Sequence, residues 1–195
     1  SLTGHLVLST LHTNSAAAAI PRLLDMGIEP FLLSSTIRCV VAQRLPRRVC
    51  QDCIEAYAAP PEIVKNINEI MATVKGFNLV EYLKRVGVSK ASSAEGDKNF
   101  FRPPEIGPGG EQVIYLYRGK GCDKCGGSGY SGRIGIFEVL DVTDKISRMM
   151  MENVSDKDIE KVALENGMLT MTQDGYLKAL EGITSLEEVM RVSKE

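Results

Sequence analysis

The sequence predicts an α/β fold pinned in its middle by a four-cysteine zinc element and ending in helices. Three observations predict it. The first is the run from Thr3 through Leu6-Val7-Leu8-Ser9-Thr10-Leu11 to His12-Thr13-Asn14. Apolar β-formers closed by polar residues read as a buried strand with a polar tip, and in an open α/β sheet the carboxyl ends of strands face the ligand. The second is a pair of tight thiol motifs, Cys50-Gln51-Asp52-Cys53 and Cys122-Asp123-Lys124-Cys125. Two such pairs supply the tetrahedral sulfur set of a structural zinc site. The third is the stretch beyond Thr143, where apolar spacing turns helical and glycines punctuate it.

Composition bounds the function. The 195 residues are 44% hydrophobic and 25% charged, with a net charge of −2. That balance is globular, and the absence of a basic excess argues against a nucleic-acid footprint. No apolar run reaches membrane-spanning length and nothing resembles a signal peptide. Four of the five cysteines lie in the two pairs, which without a secretory signal favours metal or redox use over a disulfide framework.

After the first strand, Asn14 or Thr13 is expected to cap a helix over residues 16–26, with Pro21 kinking it or locking its first turns and Gly27 stopping it. Pro30 suits the start of a second helix running through Phe31, Leu33, Ile37, Val41 and Leu45 to Pro46, which places Cys39 on an apolar helix face as a core thiol. Two amphipathic helices follow over 61–86, one striped by Ile63, Ile67, Ile70 and Val74, the other by Leu79, Leu83 and Val86, with stops at Gly76 and Gly87. Residues 88–111 read as a loop or linker. Strands are expected at Val113–Tyr117 and Arg133–Leu140. Beyond them Thr143, Ser155 and Ser185 are candidate caps, the last two with Asp158 and Glu188 completing capping boxes, and Gly167 and Gly182 separate the helices.

The cysteine pairs are expected to bind one Zn2+ through Cys50, Cys53, Cys122 and Cys125. The alternative is four unliganded thiols. Redox catalysis is disfavoured because no strand–Cys-x-x-Cys–helix context surrounds either pair. The long intervening stretch is explained by a helical insertion that leaves the ends together. His5 and His12 are the two histidines of the chain. His5 in isolation reads as an ordinary packed or surface residue. His12, at the strand tip beside Thr13 and Asn14, can donate a hydrogen bond to a phosphate or orient water. Arg38, Arg44, Arg47 and Arg48 read either as solvated or as reaching a neighbouring subunit, and for Arg47 and Arg48 the solvated reading is preferred.

The segment from Thr3 to Asn14 resembles the histidine box of the secretion ATPases, the motors of type II secretion and type IV pilus assembly. The resemblance extends through Ala42-Gln43-Arg44-Leu45, the tetracysteine element, Arg133-Ile134-Gly135-Ile136-Phe137-Glu138-Val139-Leu140, Gly167-Met168, Asp174-Gly175 and Gly182-Ile183-Thr184-Ser185-Leu186-Glu187-Glu188-Val189. Residues 61–111 depart from it by their length. Cys122-Asp123-Lys124-Cys125-Gly126-Gly127-Ser128-Gly129 also resembles one repeat of the chaperone zinc domain, which needs four.

The resemblance implies the C-terminal part of a RecA-like P-loop ATPase sheet in residues 1–49, a tetracysteine zinc element in 50–140 with an insertion at about 61–111, and a C-terminal helical subdomain in 141–195. It also implies that His12 contacts or senses the terminal phosphate of ATP, with His5 in the same box. The parent would be a cytoplasmic homohexamer using ATP and Mg2+ to drive an inner-membrane platform protein. Neither Gly107-Pro108-Gly109-Gly110 nor Gly126-Gly127-Ser128-Gly129 supplies the Gly-Lys-Ser/Thr of a phosphate-binding loop, and no strand ends in the acidic pair of a magnesium site. The chain is therefore expected to be a piece of such a motor, inactive by itself. The competing expectation is a zinc-stabilised protein-interaction module without nucleotide chemistry.

Overall fold

The computed structural model describes residues 4–91, 101–108, 110, 112–152 and 154–193. In chain order the elements are α1 (Ala19–Asp25), α2 (Pro30–Thr36), β1 (Cys39–Arg44), β2 (Arg47–Val49), β3 (Ile54–Ala58), α3 (Pro61–Ala72), α4 (Leu79–Ala91), β4 (Glu105–Ile106), β5 (Gln112–Val113), β6 (Tyr115–Gly119), β7 (Tyr130–Arg133), β8 (Ile136–Asp141), α5 (Asp144–Met151), α6 (Asp156–Glu165), α7 (Met171–Leu180) and α8 (Leu186–Ser193). They gather into two compact units. One combines the described part of Ser1–Gln43 with Phe137–Thr170, and the other combines Arg44–Ile136 with the described part of Met171–Glu195. This grouping differs from a three-part division in sequence order. The last four helices split, because α5 and α6 bury Ile146, Met150 and Ile159 in the first unit while α7 and α8 bury Leu180 and Val189 in the second.

In the first unit, β1 pairs with β8. The strand period of two sends Glu138 and Leu140 inward and Phe137, Val139 and Asp141 outward. Ile20, Leu33, Leu140, Ile146, Met150 and Ile159 form the core. The strand expected in the run from Thr3 to Asn14 is not formed among the described residues: His5 to Thr13 carry no regular structure, and Leu6 and Leu8 are 89% and 88% exposed. A buried strand needs a neighbouring strand to satisfy its backbone, and among the described residues no strand pairs with this segment.

The helical reading of 30–45 is corrected too. Helix α2 ends at Thr36, Ile37 is extended, and Val40 and Val41 continue as β1. β-Branched residues at 36, 37, 40 and 41 lose side-chain freedom in a helix and suit a strand. Cys39 consequently lies on the exposed face of β1 rather than in a core. Its thiol is pushed up by burial of the sulfur and by the charge of Asp141. In the turn before α1 the Ser15 Oγ accepts from the Ala18 N–H at 3.2 Å and the Thr13 hydroxyl donates to the Ser15 carbonyl at 3.0 Å. Pro21 falls in the first turn of α1, where its missing donor costs nothing.

The second unit is built from short antiparallel ribbons backed by helices. β2 pairs with β7, and β3 with β6 in a register from Ile54 opposite Gly119 to Ala58 opposite Tyr115. Helices α3 and α4 form over the expected stripes, burying Ile67, Met71, Leu79 and Leu83. Gln173 of α7 donates to the Ile70 carbonyl at 3.1 Å and to Thr73 Oγ1 at 2.7 Å, and the Tyr82 hydroxyl donates to Glu181. Helix α3 ends at Ala72, capped by Thr73, and Gly76, expected as its stop, lies in the turn beyond it in the left-handed region, at φ +71°. Gly87, expected as a stop, lies inside α4, where a β-carbon would come within 3.2 Å of the Phe101 ring. Of the expected linker, residues 92–100 lie outside the described residues, and β4 and β5 form a small ribbon around its end. Among the caps, the Ser155 hydroxyl accepts from Asp158 N–H at 3.3 Å, whereas Thr143 Oγ1 is buried without a partner.

Candidate functional site

The cysteine pairs meet because the ribbons bring them together. β2 runs straight into Cys50 and β3 leaves from Cys53, while β6 leads to Cys122 and β7 follows Cys125. The β3–β6 pairing closes the loop, and the Lys120 N–H donates to the Cys53 carbonyl at 3.0 Å. Between Cys122 and Cys125 a single 3-10 turn tightens the chain, with Gly126 in the left-handed region at φ +59°. Gly119 and Gly129 allow the two backbones to cross here. A β-carbon on Gly129 would sit 2.5 Å from the Gly119 carbonyl oxygen, and one on Gly119 would collide with the Gly129 carbonyl. That crossing lets the Gly129 carbonyl accept from the Cys50 N–H at 2.9 Å.

The four sulfurs lie within 4.8 Å of one another. Cys50–Cys122 and Cys53–Cys125 are 3.9 Å apart, and Cys122–Cys125 3.7 Å. A tetrahedral zinc with bonds of about 2.3 Å requires sulfur–sulfur edges of about 3.8 Å. The thiol set therefore fits a zinc ion in number, type and spacing. Backbone donors reinforce it. Cys122 N–H points at Cys125 Sγ at 3.2 Å and Gly129 N–H at the same sulfur at 3.3 Å. Donation from Cys122 chiefly pulls the Cys125 thiol down to about 6, against burial, with Gly129 assisting. Burial chiefly pushes Cys53 up to about 12, with the neighbouring thiols adding to it. Four thiols this close do not ionise together unaided, and a divalent cation among them removes that repulsion. On the rim, Lys124 Nζ pairs with Asp52 Oδ1 at 2.7 Å, linking the two motifs outside the sulfurs.

The other candidate residues, His12 and His5, are both exposed on the irregular segment before α1. A cleft of about 690 Å3 in their unit is lined by Pro21, Leu24, Ile28, Glu29, Val154 and neighbours, and neither histidine lines it. What the structure does fix is the backbone just beyond them. Glu138, 3% exposed on the inner face of β8, accepts the Ala16 N–H on Oε1 at 2.8 Å. Sequence reasoning missed this carboxylate, although its inward position two residues before Leu140 is readable from the strand alternation.

Arg47 and Glu188 were also missed. Arg47, expected to be solvated, donates its Nη2 to Glu188 Oε1 at 2.7 Å and its backbone N–H to Oε2 at 2.9 Å. Its guanidinium lies 4.2 Å from the centroid of the Tyr130 ring. Glu188, expected to close a capping box with Ser185, spends its carboxylate on Arg47 and Arg191 instead. Ser185 Oγ still accepts from the Glu188 N–H at 3.4 Å. Arg48 is exposed at its side chain and bridges to Thr184 through its backbone.

Burial by itself would raise the Glu188 carboxyl, but hydrogen bonds from Arg191 and Arg47 overcome it and hold the group at about 2, below its ordinary 4.5. The unfolded chain therefore binds this proton more tightly. The stabilisation is complete above about pH 4.5 and is lost as pH falls towards 2. Urea midpoints are expected to fall between about pH 5 and about pH 3 more steeply for the native chain than for Glu188→Gln; equal slopes would contradict the ion pair.

Residues 1–191 match the family described as Type II/IV secretion system protein. The chain belongs to this family. It is 41% identical over 190 residues to the type IV pilus assembly ATPase PilB of Thermus thermophilus, covering 97% of this chain and 17% of that protein. It is 40% identical over 195 residues to the type II secretion system ATPase E of Vibrio cholerae, covering 100% of this chain and 31% of that protein. With PilB of Pseudomonas aeruginosa the identity is 36% over 193 residues, 99% of this chain and 27% of the relative. The chain thus spans less than a third of the length of these relatives. Both pilus-assembly and secretion ATPases stand among them, in accord with the family resemblance carried by the histidine box and tetracysteine element. No helix of the described residues is long and apolar enough to cross a membrane.

Proposed function

We propose that this chain is the C-terminal part of a hexameric motor that hydrolyses ATP with Mg2+ and powers type IV pilus assembly or type II protein secretion. It would act on the cytoplasmic side of the inner membrane, against a membrane platform protein. The observation that carries this reading is the match over nearly the whole chain to a family whose similar members are named as pilus and secretion ATPases. On this reading the unit holding His5 and His12 is part of a RecA-like nucleotide domain. Leu6, Val7 and Leu8 are there an inner strand of a sheet whose remaining strands belong to the longer protein. His12 faces the terminal phosphate and His5 completes the box. The cysteines Cys50, Cys53, Cys122 and Cys125 hold a structural Zn2+, which supplies a cross-link between the ribbons and no chemistry on the nucleotide.

The exposure of His12 favours a second reading for these 195 residues taken by themselves: a zinc-stabilised interaction module without nucleotide chemistry. One experiment separates the two. The reading frame that contains this segment is expected to encode a phosphate-binding loop before Ser1, and its purified product to hydrolyse ATP with Mg2+. The 195 residues alone are expected to show no turnover above a His12→Ala control, because the phosphate cradle and magnesium site carry most of the stabilisation in phosphoryl transfer. A longer product without that loop, or one that leaves ATP intact, overturns the motor.

A further inference from the structure

The strands that carry the cysteines are fastened to a single turn near the end of the chain. The Val49 N–H donates to the Ile183 carbonyl at 3.0 Å, and Thr184 Oγ1 donates to the Arg47 carbonyl at 2.7 Å. The Tyr130 hydroxyl meets Ser185 Oγ at 2.8 Å. Thr184, Ser185 and Glu188 are all at most 2% exposed. Arg47 is gripped at its backbone and its guanidinium by Glu188, and that guanidinium covers the Tyr130 ring. From these two residues the path to the sulfurs is short. Val49 pairs with Tyr130 across the ribbon. Beyond Val49 lies Cys50; before Tyr130 lies Gly129, which accepts from the Cys50 N–H and donates to Cys125 Sγ.

We propose that Glu188 is a positioning residue of the metal centre: through Arg47, Tyr130 and the turn from Gly182 to Ser185 it holds the strand ends that deliver Cys50 and Cys125, so metal retention depends on α8. The inference rests on the zinc reading of the four cysteines. A tetrahedral site tolerates little displacement of its sulfurs, and partners behind the ligands tune affinity by limiting that displacement. Glu188 acts on both motifs at once because Arg47, which it holds, and Tyr130, whose ring the Arg47 guanidinium covers, stand on opposite strands of one ribbon. The coupling is reciprocal: metal that orders the sulfurs also orders the turn at 182–188.

The test is the rate at which the purified, zinc-loaded chain loses metal to an excess of a colorimetric chelator. Glu188→Gln and Arg47→Ala are each expected to release zinc about tenfold faster or more. The double variant should be little faster than either single one, since the pair acts as a unit. Ile159→Ala, which opens a cavity in the other unit, is the control for destabilisation unrelated to the site and is expected to leave the release rate unchanged. Where Glu188→Gln does not fold, Arg47→Lys serves, because it keeps the charge but loses the forked contact and the ring stacking; faster release is again expected. In the native chain, zinc removal should raise amide exchange at 183–189 more than at 159–163. Release rates for Glu188→Gln, or for Arg47→Lys in its place, within twofold of native protein that holds stoichiometric zinc overturn the positioning role alone. Native protein without stoichiometric zinc overturns the metal reading and this inference together.

Discussion

Cys122→Ser, or extraction of the metal, is expected to dissolve the β2–β7 and β3–β6 ribbons of the second unit while the first unit keeps its structure. The apolar cluster at the cysteine ends of these ribbons is small, with Val49, Ile54 and Tyr117 buried and a few aromatic edges around them, and β6 adds the buried Leu116. Two-stranded ribbons with so little core do not persist in water unaided. In small metal-bound domains the apparent binding free energy of a structural zinc is about 10–16 kcal/mol at neutral pH, and that energy is folding energy. Losing one of four thiolates forfeits much of it. The expected result is collapse of amide protection over 47–58 and 115–133, with protection retained at 146–150 and 159–163. A Cys39→Ser variant, changed at a thiol on an exposed strand face, should match the native chain. Unaltered protection and denaturation midpoint in Cys122→Ser would show that the sulfurs cluster without a metal and that the ribbons stand on packing alone.

The elements written in local chemistry were legible in the sequence. Ile67 and Leu83 recur at helical spacing in α3 and α4, and both are buried where the stripes place them. The paired thiols announced their own meeting, since two tight motifs have few other uses. What could not be read were the places where a distant partner decides. Val40 and Val41 fit an amphipathic helix as well as a strand, and pairing of β1 with β8 settles the choice. Glu188 stood in a convincing capping box with Ser185, yet Arg47, far away in sequence, takes its carboxylate. A charged pair at this separation leaves no periodic trace. Glu138 is intermediate: the alternation of β8 shows that it points inward, but only the fold reveals that the Ala16 N–H is its partner. Leu6 and Leu8 are the opposite case. Their apolar, β-branched surroundings make a strand pattern, and among the described residues no strand pairs with it.

In the longer protein proposed above, His12→Ala is expected to lower turnover by about a hundredfold or more, within the range for a lost proton-transfer or phosphate contact, while nucleotide affinity changes little. The motive is position. The His-Thr-Asn tip follows an apolar stretch whose pattern is that of an inner strand, and Glu138 fixes the backbone immediately after it through Ala16. On the reading proposed above, the imidazole at that tip would meet the phosphoryl group being transferred, whereas the base and inner phosphates would be held by other elements. A contact that strengthens in the transition state appears in kcat rather than in ground-state binding. His5→Ala is the comparison, seven residues earlier at the other end of the same stretch. A residue that serves only the strand lowers the folded fraction and leaves turnover per folded molecule intact. Steady-state kinetics and nucleotide titration on both variants, normalised to folded protein, therefore assign the box. Near-normal turnover in His12→Ala with loss in His5→Ala would reverse the assignment, and normal turnover in both would make the segment structural.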